Sequence, residues 1–343
     1  QSDGDTEYKV VLDRYFKYRQ NIFENIHNLK EEINDSKDLN NLSNKIQPLE
    51  KEITIFHAEA VNKMIKEYKS NIDFVGFHGQ TIFHNEKEKI SKQLGDGGLL
   101  SKLSKKTVIY DFRKNDLKNG GNGAPLTPIF HKLLKKIFKT DHVTFVNIGG
   151  IVNITSILDD DNMSGTDIGP GMCLIDRWIR KKIKKNYDMD GKIAKSGNVN
   201  YESLEKLLKN FYKKEDTSIK RSIQSFDTKN FDFSLVEHLS LEDGAATLTE
   251  FTNEIIIYAM KEKNLDKFKV ILCGGGRKNN FLVDKLKKRI PLKLIDEYGV
   301  NGDFVESQAF AYLAIRAYLN LPISFPETTG VNKPCSGGVI IKI

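Results

Sequence analysis

The stretch Gly165-Thr166-Asp167-Ile168-Gly169-Pro170-Gly171-Met172 places one carboxylate between small residues and ends in Gly-Pro-Gly. An apolar-periodic run follows, with Leu174, Ile175, Trp178, Ile179 and Ile183 at helical spacing. Glycine lets a backbone come close to a ligand, and a proline stiffens the turn that aims its neighbour. The pattern predicts a turn that presents Asp167 as a general base at the mouth of a cleft. A competing reading makes Asp167 the cap of the helix that starts near Met172. The rest of the chain decides between them.

With 343 residues, the chain is long enough for two lobes, each with its own core. No apolar run approaches the roughly 20 residues that span a bilayer. No secretory signal is evident, so the sequence points to the cytoplasm and to no membrane partner. Cys173, Cys273 and Cys335 are far apart and odd in number, which argues against a disulfide framework or a zinc site. The histidines show no metal-ligand spacing. A net charge of +7 raises the question of nucleic acid. However, lysine is spread along the chain, and the densest run, 177–185, interleaves with the apolar stripe above. That is the solvated face of an amphipathic helix, so no nucleic-acid partner is expected.

The chain opens on Ser2-Asp3-Gly4-Asp5, a hairpin turn signal, and residues 8–18 are rich in Val, Leu, Tyr and Phe, as a strand would be. A turn needs a strand on both sides, so a strand before residue 1 is expected. Residues 20–69 carry a helical pattern, interrupted by a polar loop near 34–43. Ile72-Asp73-Phe74-Val75-Gly76-Phe77 reads as a buried strand running into His78-Gly79-Gln80-Thr81. Such a loop offers a ring nitrogen, an amide and a hydroxyl to a small polar ligand at the edge where open α/β sheets bind. It is otherwise a polar turn. A second strand, 107–110, ends in Asp111-Phe112-Arg113, and the glycine-rich Gly120-Gly121-Asn122-Gly123-Ala124-Pro125-Leu126 follows. Arg113 offers a bidentate fork for an anionic or hydroxyl-rich substrate, or else a surface ion pair. The boundary between lobes is placed in this connection, giving lobes of 1–127 and 128–327 with a final strand near 328–343 returning to the first.

Beyond it, the strand 143–148 ends in Gly149-Gly150, with Asn153 just after, and the glycine turn is suited to bringing backbone N–H groups to a phosphate. The layout recurs at 270–273, where Gly274-Gly275-Gly276 and Asn279 lead into a helix. A long helix opens near Asp243. Glu306 precedes another helix, either as a second functional carboxylate or as an acid favoured by the helix dipole.

Taken in order, these motifs resemble the anhydro-N-acetylmuramic acid kinase family, from about Val75 to Gly338. The HGQT loop, the DFR segment with GGxGAPL, the NIGGxxN turn, the aspartate loop, the ATLTE helix start, the CGGG turn and the GD-x-x-E segment all appear, in that order. The resemblance implies a two-lobed α/β fold of the actin-like ATPase (ribonuclease H-like) class, with mixed sheets flanked by helices and an active site in the interlobe cleft. It also implies ATP and Mg²⁺ as cofactors and a homodimer. The implied reaction converts 1,6-anhydro-N-acetylmuramic acid, ATP and water into N-acetylmuramic acid 6-phosphate and ADP. Asp167 would then activate water. His78, Gln80, Thr81, Arg113 and Glu306 would hold the sugar. Gly149, Gly150, Asn153, Gly169, Gly171, Gly274, Gly275, Gly276 and Asn279 would line the nucleotide.

Some positions depart from the family pattern. Its N-terminal strand and SGTSxDG phosphate loop have no counterpart before Tyr8, which is read as a missing piece. Ile168 and Met172 replace a Thr and an Asn, which implies two lost polar contacts. Gln224-Ser225-Phe226-Asp227-Thr228 stands where the family has KSxDR. The alternative reading is a degenerate, catalytically weak member that binds sugar or nucleotide.

Overall fold

In a computed structural model that describes residues 1–159, 162–214, 226, 228 and 231–343, the strands follow in chain order. They are β1 (Phe74–Phe77), β2 (Gln80–Asn85), β3 (Ile90–Leu94), β4 (Thr107–Tyr110), β5 (Val143–Ile148), β6 (Ile151–Ile157), β7 (Met163–Pro170), β8 (Lys269–Cys273), β9 (Leu292–Leu294) and β10 (Val339–Ile341). The chain divides into two compact units, Gln1–Leu133 with Glu306–Ile343, and Leu134–Val305.

The first unit holds a three-stranded sheet in the order β1-β4-β10. β1 and β4 run parallel from Phe74↔Thr107 to Phe77↔Tyr110, and β10 joins β4 antiparallel. The helix Val305–Tyr318 lies so close to β1 that a Cβ on Gly76 would sit 2.9 Å from the Ala314 methyl. β2 and β3 form a separate antiparallel hairpin with a bulge between Thr81 and Phe83. The bulge breaks the alternation, so adjacent Ile82 and Phe83 both join Leu94 in an apolar cluster with Ile22, Ile26 and Leu29 of the helix Gln20–Glu32. Ile46, Leu49 and Ile53 of the helix Ser43–Tyr68 complete that cluster.

The second unit is built on a five-stranded sheet in the order β7-β6-β5-β8-β9. β6 is antiparallel to both neighbours, whereas β5, β8 and β9 run parallel. This mixed sheet is the expected ribonuclease H-like arrangement. The helix Leu241–Glu262 starts at a Ser240 cap, whose hydroxyl accepts from the Asp243 N–H at 3.0 Å. Only glycine fits at 244, because a Cβ there would meet the Trp178 ring at 2.3 Å. The indole N–H of Trp178 in turn donates to the Leu241 carbonyl at 2.9 Å. Among the described residues, no helix is long and apolar enough to cross a membrane.

Three expectations need correction. Residues 8–18 form no strand; an isolated Ser2↔Tyr8 bridge is the pairing found there among the described residues. Val10, Val11 and Tyr15 are left exposed while Tyr8 packs on Phe130 and Tyr18 on the helical cluster, so the segment's apolar residues are not gathered on one strand face. Gln80 and Thr81 belong to β2 rather than to a loop. The charged tip at Glu86, Lys87, Glu88 and Lys89 hid the hairpin, because the left-handed turn residue is a lysine (φ 54°) rather than Gly or Asn. Asp167, finally, lies on a strand, β7, and not on a turn.

Candidate active site

β7 carries a bulge at the aspartate. Asn153 pairs with Asp167 but Val152 pairs with Gly169, so Ile168 is the extra residue. A bulge bends its strand and re-aims side chains, and Gly169 (φ +148°) takes the distortion. Ile168 turns into the apolar core with Val152, Ile154 and Ile256. Its replacement of a polar family residue therefore falls in the core. The Asp167 carboxylate is nearly buried, and one of its oxygens accepts from the Phe226 N–H at 2.9 Å.

Asp167 does not cap the helix Cys173–Ile183. The cap position is Met172, with no side-chain bond. Instead, the turn between β5 and β6 satisfies the helix entrance, a place where backbone N–H groups lack intrahelical partners. The Gly149 carbonyl accepts from the Met172 N–H at 2.9 Å, and the Gly150 carbonyl accepts from Gly171 and Cys173 at 2.9 and 3.2 Å. Close approach requires Gly171, where a Cβ would stand 2.4 Å from the Gly149 oxygen. The Gly149 N–H itself donates to the Ile151 carbonyl at 3.0 Å.

Asn147, Asn153 and Asp167 are successive cross-strand partners on β5, β6 and β7. Directly opposed residues share a face, so the three polar side chains form one row across the sheet. Cys273 extends the row on β8. Among the described residues, the buried Asn153 side-chain oxygen has no hydrogen-bond partner.

The second glycine turn leans on the first. A Cβ on Gly274 would lie 2.5 Å from the Ile148 carbonyl oxygen, and one on Gly276 would lie 2.3 Å from the Ile148 side chain. Gly275 alone of the three faces open space. Asn279 caps the helix Asn280–Lys287, its oxygen accepting from the Leu282 N–H at 3.0 Å. Arg277, which the sequence reading missed, is buried and holds the turn in place. It donates to the Gly274 carbonyl at 3.1 Å and pairs with Asp296 and Asp303 at 2.7 and 2.8 Å. Its signal in the sequence is a cation placed directly after three glycines.

In the first unit, His78, Gln80, Thr81 and Arg113 gather at the ends of β1 and β4 and the start of β2. The His78 ring stacks on Phe310, with centroids 3.9 Å apart, and its Nε2 accepts from the Arg113 guanidinium at 3.2 Å. Burial, then the Arg113 and His57 charges, push His78 down to about 3, so the ring is neutral. The other Arg113 fork nitrogen donates to the Gly123 carbonyl at 2.7 Å. The Thr81 hydroxyl accepts from the Gln93 amide at 3.2 Å. Glu306 is exposed in the first turn of its helix.

Asp116, also missed, organises the glycine-rich connection from within. It is buried, and its two oxygens accept from the Gly123 N–H and the Thr329 hydroxyl, both at 2.6 Å. Of the KSxDR-equivalent stretch, Gln224, Ser225 and Asp227 lie outside the described residues.

A family model described as anhydro-N-acetylmuramic acid kinase matches residues 7–342. The chain belongs to the anhydro-N-acetylmuramic acid kinase family. A Pelagibacter ubique protein named anhydro-N-acetylmuramic acid kinase is 48% identical over 99% of this chain and 93% of its own length. Similar proteins of the same name from Methylobacterium nodulans and Zymomonas mobilis are each 38% identical. They cover 86% and 84% of this chain, and 79% of their own length in both cases. Membership makes the chain a kinase, a phosphotransferase with an alcohol group as acceptor and ATP as donor.

Proposed function

We propose that the chain hydrolyses the 1,6-anhydro bridge of 1,6-anhydro-N-acetylmuramic acid and phosphorylates O6 as that bridge opens, as part of cell-wall recycling. Water attacks the anomeric carbon and the bond from that carbon to O6 breaks. O6 takes the γ-phosphoryl group, and ADP leaves. Asp167 accepts the water's proton, a role suited to a carboxylate fixed by a backbone N–H and aimed by a bulge.

Thr81 and the Arg113 fork, with His78, Gln80 and Glu306, hold the sugar. The two glycine turns serve the nucleotide, with Gly275 and the Gly149-Gly150 pair as the approachable parts because no neighbour crowds them closer than 3.4 Å. Gly169, Gly171, Gly274, Gly276, Asn153 and Asn279 support these turns and the base. Among the described residues, no group of three or more His, Cys, Asp or Glu side chains would hold a metal by itself. Mg²⁺ brought in with ATP would neutralise charge on the transferring group. A cytoplasmic homodimer completes the proposal.

The 48% identity over 99% of the chain to a relative named for this activity carries the reading. The degenerate alternative has no comparable support. Turnover in oxygen-labelled water tests it. Label on the anomeric hydroxyl of a 6-phosphorylated product is expected. Label in the phosphate, or no product, would overturn the proposal.

A further inference from the structure

We infer that Lys89 is a positioning residue for the sugar-side residues, latching the β2–β3 hairpin to the glycine-rich connection. The inference rests on the kinase reading above for its catalytic consequence. The hairpin begins at the His78-Gly79-Gln80-Thr81 segment, yet it is hydrogen-bonded into neither larger sheet. Its apolar face is seated on the helices Gln20–Glu32 and Ser43–Tyr68, which leaves its tip to be fixed by polar contacts.

The tip is itself ordered, because the Asn85 side chain accepts from the Lys87 and Glu88 N–H groups at 3.0 and 3.1 Å. This turn places Lys89 over the connection. The ammonium donates to the Gly120 and Gly121 carbonyls at 3.0 Å each and to the Asn122 side-chain oxygen at 3.1 Å. Three donors meet three acceptors, which uses the full capacity of an ammonium group.

The same connection is gripped two residues further on. Gly123 gives its carbonyl to Arg113 and its N–H to Asp116. Thr81 on the hairpin and Arg113 after β4 therefore stand on separate elements, joined through 120–123 by Lys89. Loss of the latch leaves the tip held by its helix-bound face and by the Ser36 hydroxyl, which donates to the Glu88 carboxylate, and frees it from the connection 120–122. A group that holds the substrate and the transition state alike, once loosened, raises KM and leaves kcat unchanged.

The test compares Lys89→Met, which keeps the apolar stem, with Lys89→Arg. For Lys89→Met, KM for the anhydro-sugar rises about fivefold to tenfold, while kcat and KM for ATP stay within about twofold. Lys89→Arg recovers most of the loss. Amide exchange at 80–85 and 120–123 accelerates in Lys89→Met, with or without substrate.

An unchanged sugar KM overturns the positioning role. So does a parallel loss in kcat, both KM values and thermal midpoint, which would mark Lys89 as merely structural. If wild-type protein does not turn over the sugar at all, the kinase reading fails, and exchange at 120–123 decides the latch by itself. Unchanged exchange there overturns it.

Discussion

The guanidinium of Arg113 donates to Nε2 of His78 at 3.2 Å, and the ring that accepts is pressed flat on Phe310. An imidazole can accept at that atom only when neutral, with its proton on Nδ1. Half-buried, desolvated by its neighbours and facing a cation, His78 holds its folded-state value near 3, against an ordinary 6.5. Unfolding therefore takes up a proton once the pH falls below the ordinary value. Stability from this residue is complete above about pH 6.5 and is lost progressively as the pH drops toward 3. His57 and His131, lowered by burial to about 4 and about 3, act in the same direction. Thermal midpoints measured from pH 7.5 to 5 should fall less steeply in His78→Asn than in wild type. Equal slopes would show that His78 titrates normally in the folded chain.

Asp167→Asn keeps an oxygen to accept from the Phe226 N–H but removes the base. Turnover should drop by about a thousandfold, within the usual range for a lost general base. Sugar affinity, measured by calorimetry, should remain within about twofold of wild type. Full turnover in the variant would exclude Asp167 as the base.

The glycine turn after β8 offers an internal contrast. A methyl on Gly275 meets nothing within 4 Å, whereas one on Gly276 would lie 2.3 Å from the Ile148 side chain and 3.1 Å from its carbonyl oxygen. Gly276→Ala should cost about 2 kcal/mol in urea unfolding, as an overpacked position does. Gly275→Ala should leave the urea midpoint where it was and reveal in KM for ATP whether a ligand passes over it. Equal stability losses would contradict the packing described.

Asp116→Asn replaces a carboxylate that accepts on both oxygens with a group that accepts on one. Either the Gly123 N–H or the Thr329 hydroxyl then faces an amide NH₂ in a buried setting. A loss of about 2 kcal/mol is expected by urea unfolding with unchanged m-value. A neutral outcome would mean that Arg113, Lys89 and the backbone bond from the Asn122 N–H to the Thr329 carbonyl hold the connection 120–126 without the carboxylate.

The division between sequence and tertiary structure follows from the range of the forces involved. Local patterning was enough for the helix entered at Met172 and for β5 and β8, each a short apolar run ending in glycines. The ordered motifs also identified the family and the residues worth testing, because glycines, a lone aspartate and an arginine fork advertise their chemistry by type and spacing. Residues 8–18 and the β2–β3 hairpin were misread, since strand formation depends on a neighbouring edge and a face to bury, and neither is a property of the segment itself. The bulge that aims Asp167 depends on the register of β6 against β7, set by contacts along both strands. Asp116, Arg277 and Lys89 look like ordinary charged residues in the chain. Only the tertiary fold, by bringing carbonyls, hydroxyls and carboxylates from distant positions within hydrogen-bonding reach, decided what they hold.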